Sequence, residues 1–196
     1  MEDDITIKEA RERMRKGGIV VFPTETAYGI AADARNREAV KKVYRAKQRP
    51  RSKGLTTIVS SLEQAEDYAE LTNKEIRLVE KFMPGPLTLV ANGKGRLADN
   101  INEDFVFRIS SGEVARKLAS DFPITATSAN ISGRETSYSV KEVSEELLEK
   151  VDGVIDTGEL EASPTSTIAE VADGVLKVHR EGPISLSELE ECLDNE

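Results

Sequence analysis

The sequence has few of the residues that build disulfide scaffolds, zinc centres and catalytic triads. Its 196 residues include one cysteine, one histidine and no tryptophan. Cys192 alone cannot form an intramolecular disulfide, which favours a reducing cytoplasm, and no Cys/His cluster suits zinc. A Ser-His-Asp triad would have to use His179, which lies within a predicted strand. The sequence therefore favours chemistry without a covalent protein nucleophile.

Long apolar runs and the common nucleotide-binding loops are also missing. No run approaches the roughly 20 apolar residues of a membrane span, and Met1 leads into polar residues without the apolar core of a signal peptide. Neither G-x-x-x-x-G-K-[ST] nor G-x-G-x-x-G after a strand is present. We expect a cytoplasmic protein with no membrane partner, folded as a single domain over residues 1–196.

Positive charge is concentrated in one segment of an otherwise acidic chain. The formal net charge is -9, yet residues 41–53 contain seven Lys or Arg and no acid. Residues 141–196 contain 16 acids and only four bases, one of which is Arg180. A mostly acidic exterior argues against general affinity for nucleic acid. A confined site for a small anion is the interpretation that we favour.

The segment 37–47 is a predicted helix that divides these cations between two faces. Val40, Val43, Tyr44 and Lys47 share one side at helical spacing, so Lys47 is predicted to point inward. Pro50 disfavours helix at the residue before it, so the chain is expected to bend there. An inward lysine without a counter-ion is costly, and the guanidinium group of Arg49 suits phosphate or carboxylate, so we expect Lys47 and Arg49 to face a cleft that binds an anion.

Apolar runs alternate with helical patterns along the chain, which predicts an α/β fold. Asn36, Thr72 and Ser139 are predicted helix caps, the last two within capping boxes. Residues 166–180 form a predicted hairpin around Asp173-Gly174, which makes a mixed sheet more plausible than an all-parallel one. The predicted strands cover 18–23, 55–61, 84–93, 104–110 and 123–128, and the predicted helices cover 6–16, 37–47, 72–82, 113–120, 140–150 and the residues after 185. The stretch 24–36 is predicted as a loop.

Three hydroxyl-rich loops, "PTETAYG", "TSANISG" and "SPTSTI", end or precede predicted strands. Together with "AKQRPRSKGL", "FMPGPLTLV", "FRIS" and "HREG" they give the chain a resemblance to the YrdC-type threonylcarbamoyl-AMP synthases, in the short, single-domain branch. The matching pieces span residues 17–182. The resemblance implies a twisted mixed parallel/antiparallel sheet flanked by helices around a deep cationic cavity.

The resemblance also implies a reaction. It combines L-threonine, bicarbonate and ATP with Mg²⁺ to give threonylcarbamoyl-AMP and pyrophosphate. A downstream transfer complex then uses the product to modify a tRNA adenosine beside the anticodon. Carried over motif by motif, the ATP-binding residues are Lys47, Arg49, Lys53, Asn130, Ser137 and Arg180, of which Lys47 and Arg49 carry the catalytic charge neutralisation. The threonine-binding residues are Thr26, Tyr28, Arg108, Ser128 and Ser166, and no metal ligand is assigned.

The chain departs from the family pattern at a few positions. Gln48 stands where many relatives have glycine, Gly54 where they have proline, and Ser110 where several have proline after R-x. Ile58 stands near the place of a histidine in longer relatives.

Two other functions remain open from the sequence. A non-catalytic protein that binds tRNA or double-stranded RNA would use the basic segment 41–53, although few aromatic residues are present for base stacking. A related carbamoyl-adenylate chemistry on another acceptor is the third reading.

Overall fold

The computed structural model describes residues 5–194 and shows helices packed on one large sheet. The helices are α1 (Ile7–Arg15), α2 (Arg37–Ala46), α3 (Leu62–Tyr68), α4 (Asn73–Phe82), α5 (Glu113–Leu118), α6 (Glu145–Leu148) and α7 (Leu186–Asp194), with a 3₁₀ turn at Val140–Glu142. The strands are β1 (Val20–Pro23), β2 (Tyr28–Ala31), β3 (Thr56–Val59), β4 (Ala69–Glu70), β5 (Leu87–Gly93), β6 (Phe105–Ile109), β7 (Ile124–Ser128), β8 (Thr167–Ala172) and β9 (Val175–Arg180). Within this described part, no helix is long and apolar enough to cross a membrane.

The sheet mixes parallel and antiparallel pairs, as predicted. Its order is β1-β2-β7-β3-β6-β5-β8-β9, and β4 pairs with β5. The pairs β3–β6 and β5–β8 are parallel, and the other pairs are antiparallel. The β8–β9 hairpin turns at Asp173 and Gly174, which both have positive φ, at 51° and 76°. Two positive φ angles are typical of the tight hairpin turn that Asp-Gly favours, so this prediction is confirmed.

Local capping explains where several helices begin. The Asn36 side chain accepts hydrogen bonds from the backbone of Glu38 and Ala39, and so starts α2. Thr72 and Glu75 form the predicted capping box at α4. These side chains satisfy backbone donors that the first helical turn leaves unpaired, which is why the sequence signal was reliable.

Two sequence predictions were wrong. Residues 28–31, predicted as part of a loop, form β2, which pairs with β1 and is fully buried. Its Gly29 lies against Phe22, where an added Cβ would approach the ring to 3.1 Å. The single helix predicted over 140–150 is instead a 3₁₀ turn followed by α6, because the buried Val143 between them is extended.

The core surrounds the central strands and fixes their ends. One buried cluster joins α2 to β2 and the segment 143–154, and a second joins α4 and α7 to β5 and β6. A third joins α1 and α5 to β1, β3 and β7. Close packing on these clusters therefore holds the central strands β2, β7, β3 and β6 in place, and the strands position the loops that lead into and out of them. The prediction that residues 1–196 form one domain stays a prediction.

Candidate functional site

A cavity of about 290 Å³ lies against the central strands and is lined mainly by hydroxyl and guanidinium groups. Its charged lining residues are Arg49, Arg108 and Arg180, and no Asp or Glu is among the described residues that line it. Most of the lining hydroxyl groups come from the three polar loops noted in the sequence, namely those of Thr24, Thr26, Thr127, Ser128, Ser163, Thr165 and Ser166. The others belong to Thr56, Thr136 and Tyr138, which lie outside those loops. A wall of this composition suits an anion that also presents hydroxyl or carbonyl groups.

The turn between β1 and β2 presents Thr26 to the cavity. The Thr24 hydroxyl donates to the Ala27 carbonyl at 2.7 Å and accepts from the backbone amides of Thr26 and Ala27 at 3.2 Å. A threonine side chain that bonds backbone two and three residues ahead fixes a tight turn. The Thr26 hydroxyl lies 3.1 Å from that of Thr24 and is partly exposed.

Tyr28 contributes its ring to the cavity and its hydroxyl to the segment behind it. The side chain is fully buried, and the hydroxyl lies 2.7 Å from the Gly158 carbonyl and 3.0 Å from an Asp156 carboxylate oxygen. The Thr157 amide donates to the same hydroxyl at 3.0 Å. Burial raises the pKa of Tyr28, so this residue keeps its proton and holds the segment 156–158 beside the cavity.

Lys47 points inward, as the helical spacing predicted, but its ammonium group faces protein acceptors instead of the cavity. The residue is 1% exposed and is the C-cap of α2. Its Nζ donates to the carbonyls of Ser128 and Asn130, the latter at 2.7 Å, and to Asn130 Oδ1 at 3.1 Å. Burial, aided by the positive charge of Arg49, lowers the pKa of Lys47 to about 7. Lys47 thus holds the loop after β7.

Gln48 turns the chain so that Arg49 reaches the cavity. Gln48 has φ of 50°, in the left-handed region that favours glycine. A residue with a Cβ in this conformation carries a backbone cost of roughly 1–2 kcal/mol. The Arg49 guanidinium donates to the carbonyls of Lys53 (2.9 Å) and Gly54 (2.8 Å), while burial lowers its pKa. No carboxylate within residues 5–194 forms an ion pair with Arg49.

The other two guanidinium groups differ in their partners. Arg108, on β6, is 7% exposed and forms an ion pair with Glu25, with 2.9 Å between Nη1 and Oε1. Burial lowers the pKa of Arg108, and the charge of Glu25 opposes that effect. Arg180, at the end of β9, donates to the Ser166 carbonyl at 2.8 and 3.0 Å and to its hydroxyl at 3.2 Å. Burial, followed by the charge of Arg108, lowers the pKa of Arg180.

Gly182 allows the chain after Arg180 to pass close to the backbone around Ser166. A Cβ at this position would lie 2.4 Å from the Thr165 carbonyl oxygen and 2.5 Å from the Thr167 amide nitrogen. These are backbone atoms at the start of β8 that cannot move independently of the strand. The glycine therefore preserves the contact between Ser166 and Arg180.

Gly182→Ala is expected to lower the free energy of unfolding by about 1–3 kcal/mol, the usual cost of overpacking. Gly93→Ala is the matched control, because its Cβ would meet nothing nearer than 3.4 Å. Urea unfolding of both variants beside the wild type measures the difference. Equal urea midpoints for Gly182→Ala and Gly93→Ala would contradict the inference that a side chain at position 182 clashes with the backbone at the start of β8.

The structure brings seven of the eleven predicted site residues to the cavity wall. They are Thr26, Tyr28, Arg49, Arg108, Ser128, Ser166 and Arg180. The remaining four lie outside the wall: Lys47 and Ser137 are buried behind it, Asn130 is half-buried and bonded to Lys47, and Lys53 is exposed. The Ser137 hydroxyl donates to the Ala129 carbonyl at 3.2 Å and so supports the same loop.

Some lining residues were not singled out from the sequence. Ser163 and Thr165 belong to the "SPTSTI" loop, whose hydroxyl content was a usable signal. Thr136 and Tyr138 follow the "TSANISG" loop and carried no separate signal. Glu25 lies in "PTETAYG", but its ion pair with Arg108 joins residues 83 positions apart, and no local pattern reports that contact.

The fold and cavity define an α/β protein with a cavity whose charged lining residues are three arginines. Residues 12–182 match the Sua5_yciO_yrdC family model, whose description is telomere recombination. Since the match covers most of the chain, the chain belongs to the Sua5/YciO/YrdC family. The predicted family is thereby confirmed.

Two relatives carry synthase names. The putative threonylcarbamoyl-AMP synthase of Methanocaldococcus jannaschii is 39% identical over 93% of this chain, which covers 88% of that protein. The threonylcarbamoyl-AMP synthase of Pyrococcus abyssi is 35% identical over 95% of this chain. The chain covers 57% of the P. abyssi protein, so it spans little more than half the length of that relative.

Solved structures share the fold. The crystal structure of P. abyssi Sua5 complexed with L-threonine is similar with a TM-score of 0.88 and 35% identity, over 96% of this chain and 57% of that one. Escherichia coli YciO is similar with a TM-score of 0.82 and 25% identity, over 96% of both chains. These likenesses confirm the predicted α/β class with a mixed sheet flanked by helices.

Proposed function

We propose that this protein is a threonylcarbamoyl-AMP synthase, which converts L-threonine, bicarbonate and ATP into threonylcarbamoyl-AMP and pyrophosphate. The observation that carries the proposal is the cavity wall, where three arginines and many hydroxyl groups occur and none of the lining residues that the structure describes carries a carboxylate. Such a wall suits a polyanion together with a small polar amino acid. The names of the M. jannaschii and P. abyssi relatives and the threonine complex of the latter support the same substrates.

The partners of each arginine suggest how the cavity is divided between the two substrates. Arg49 and Arg180 donate to backbone carbonyls and a hydroxyl, and among residues 5–194 neither forms an ion pair with a carboxylate. We assign the ATP phosphates to them, with Lys53, Asn130 and Ser137 as further candidates and Lys47 acting through the loop that it holds. Arg108, whose charge Glu25 partly balances, suits the single negative charge of a threonine carboxylate.

Hydroxyl groups complete the proposed threonine site. Thr26 lies on the turn after β1, Ser128 is the last residue of β7, and Ser166 immediately precedes β8. The Ser166 hydroxyl is 2.8 Å from that of Thr88, a buried pair that fixes its rotamer. Tyr28 supplies an apolar ring wall, because its hydroxyl is engaged with the segment 156–158. Hydroxyl groups can bind the substrate hydroxyl and the carbamate without adding charge.

The proposed reaction needs positioning and charge neutralisation more than a protein nucleophile. Threonine and bicarbonate form an N-carboxylate with release of water, and an oxygen of that carboxylate attacks the α-phosphorus of ATP as the bond to pyrophosphate breaks. Two anions approach each other in this step, and fixed guanidinium groups stabilise the charge on the phosphoryl oxygens. Mg²⁺ enters as part of the MgATP substrate, with ligands from phosphate and water, since the described lining has no carboxylate.

The product would pass to a separate threonylcarbamoyl-transfer complex that modifies tRNA, and we place the reaction in the cytoplasm, where those partners occur. Direct contact with tRNA or double-stranded RNA is the alternative function that the basic segment 41–53 suggested. The family match and the synthase names of the relatives do not favour it.

Purified protein incubated with MgATP, bicarbonate and labelled L-threonine is expected to release pyrophosphate and to form a labelled adenylate, separable by chromatography. Reactions without threonine or without bicarbonate are the matched controls. The synthase proposal would be refuted if pyrophosphate release did not depend on threonine. It would also be refuted if no pyrophosphate were released. Tight tRNA binding together with no adenylate would support the non-catalytic alternative.

A further inference from the structure

Behind the cavity wall, a buried serine contacts the acid that pairs with Arg108. Ser110 is fully buried at the end of β6, two residues after Arg108. Its hydroxyl donates to Glu25 Oε2 and accepts a hydrogen bond from the Gly112 amide at 3.1 Å. The serine hydroxyl is therefore held from one side by the backbone and directs its proton to the carboxylate.

The other oxygen of Glu25 depends on Arg108. Glu25 Oε1 is buried, and within residues 5–194 it has no hydrogen-bond partner. Its compensation is the ion pair with Arg108 Nη1 at 2.9 Å. A buried carboxylate oxygen without a donor is costly, so the ion pair with the Arg108 guanidinium stabilises this orientation of Glu25.

Contacts around this pair leave little freedom for either residue. The Ser163 hydroxyl donates to the Glu25 carbonyl at 3.2 Å, and Arg116 donates to the Ser110 carbonyl at 2.7 Å. A Cβ on Gly112 would lie 3.2 Å from both the Glu25 amide and the Ser110 hydroxyl. The backbone of both residues is thus fixed, and the side-chain hydrogen bond selects the rotamer of Glu25.

We propose that Ser110 is a positioning residue that acts through Glu25 to aim the Arg108 guanidinium at the cavity, and that it thereby sets the affinity of the site for a carboxylate ligand. Ser110 itself does not line the cavity. The identity of that ligand as L-threonine rests on the proposed function, whereas the role of Ser110 in orienting Arg108 is independent of it.

Removal of the hydroxyl tests the orientation directly. In Ser110→Ala, Glu25 Oε2 loses its donor, and the carboxylate and Arg108 gain freedom to rotate. Two-dimensional ¹H–¹⁵N NMR of arginine Nε groups, with Arg108 assigned from Arg108→Lys, is expected to show a sharp wild-type signal that broadens or shifts in the variant. Ser111→Ala, at the adjacent exposed serine, is the matched control and is expected to leave the Arg108 signal unchanged.

Kinetics test the consequence for the ligand. Ser110→Ala is expected to raise KM for L-threonine about tenfold, the equivalent of one hydrogen bond to a charged group, while KM for ATP and kcat change less than about twofold. Ser110→Thr, which keeps the hydroxyl, is expected to have a KM for L-threonine close to that of the wild type. A merely structural serine would lower the melting temperature without separating KM for threonine from KM for ATP.

The two proposals fail in different ways. A wild-type protein that releases no threonine-dependent pyrophosphate would overturn the proposed function, and the NMR experiment would still decide the role of Ser110. An unchanged Arg108 signal in Ser110→Ala would overturn the positioning role. The positioning role would also be overturned if Ser110→Ala were active and had the same KM for threonine as the wild type.

Discussion

Replacing Arg49 with alanine is expected to lower kcat/KM for ATP at least about 100-fold, because it removes a cavity-wall charge from the proposed phosphate site. The side chain also donates to the Lys53 and Gly54 carbonyls, so the variant loses a support of the loop as well as a charge. Steady-state pyrophosphate release measures the change.

Two further substitutions separate charge from geometry at this position. Arg49→Lys keeps the charge but not the planar fork, and it is expected to recover only part of the activity. Arg45→Ala is the matched control, since Arg45 is an exposed cation near the end of α2, four residues before Arg49. Normal kinetics in Arg49→Ala, or an equal loss in Arg45→Ala, would contradict the division of the basic segment into cavity and solvent cations.

Replacing Lys47 with alanine is also expected to reduce turnover at least about 100-fold, although Lys47 does not line the cavity. Its ammonium group bonds the carbonyls of Ser128 and Asn130, so the variant removes a donor from both part-buried groups, although the Ser128 carbonyl keeps the Asn130 amide at 3.0 Å. Ser128 lines the cavity, and misplacement of a binding group by about 1 Å can cost 100-fold in rate. The same assay with Lys41→Ala, a cation on the same helix paired with Glu38, is the control.

Lys47 also makes stability depend on pH. Its pKa falls from an ordinary 10.5 to about 7 on folding, so the unfolded chain binds more protons between these values. The free energy of unfolding is therefore expected to rise with pH through this window, by about 2 kcal/mol between pH 7 and pH 9, and to level off below pH 7. Urea unfolding at several pH values should show this rise in the wild type and lose it in Lys47→Met. The same slope in both proteins would exclude Lys47 as its source.

Local signals in the sequence were sufficient for the features that depend on neighbouring residues. Asn36 and Thr72 cap helices through bonds to the next few amides, and Asp173-Gly174 turns the hairpin through its own backbone angles. The inward direction of Lys47 followed from helical spacing on α2. Each of these depends on a few adjacent residues, which the sequence displays directly.

Features that depend on distant residues were missed or misjudged. β2 exists because its backbone pairs with β1 and β7, although its Gly29 and Ala31 have low strand propensity. Helix spacing placed Lys47 inside but did not reveal that loop carbonyls receive its ammonium group. The link from Ser110 through Glu25 to Arg108 joins the ends of separate strands, and only the folded chain brings them together.

The position of Arg180 connects ligand affinity to local opening of the sheet. Arg180 ends β9, which is the outermost strand, pairs only with β8 within the described sheet and is largely exposed along its length. Edge hairpins with few buried contacts open at a lower free energy than central strands. Each such opening would withdraw one cation from the proposed anion site while Arg49 and Arg108 stay in place. The observed dissociation constant for an anion that uses Arg180 is then the intrinsic constant divided by the fraction of molecules in which this hairpin is closed.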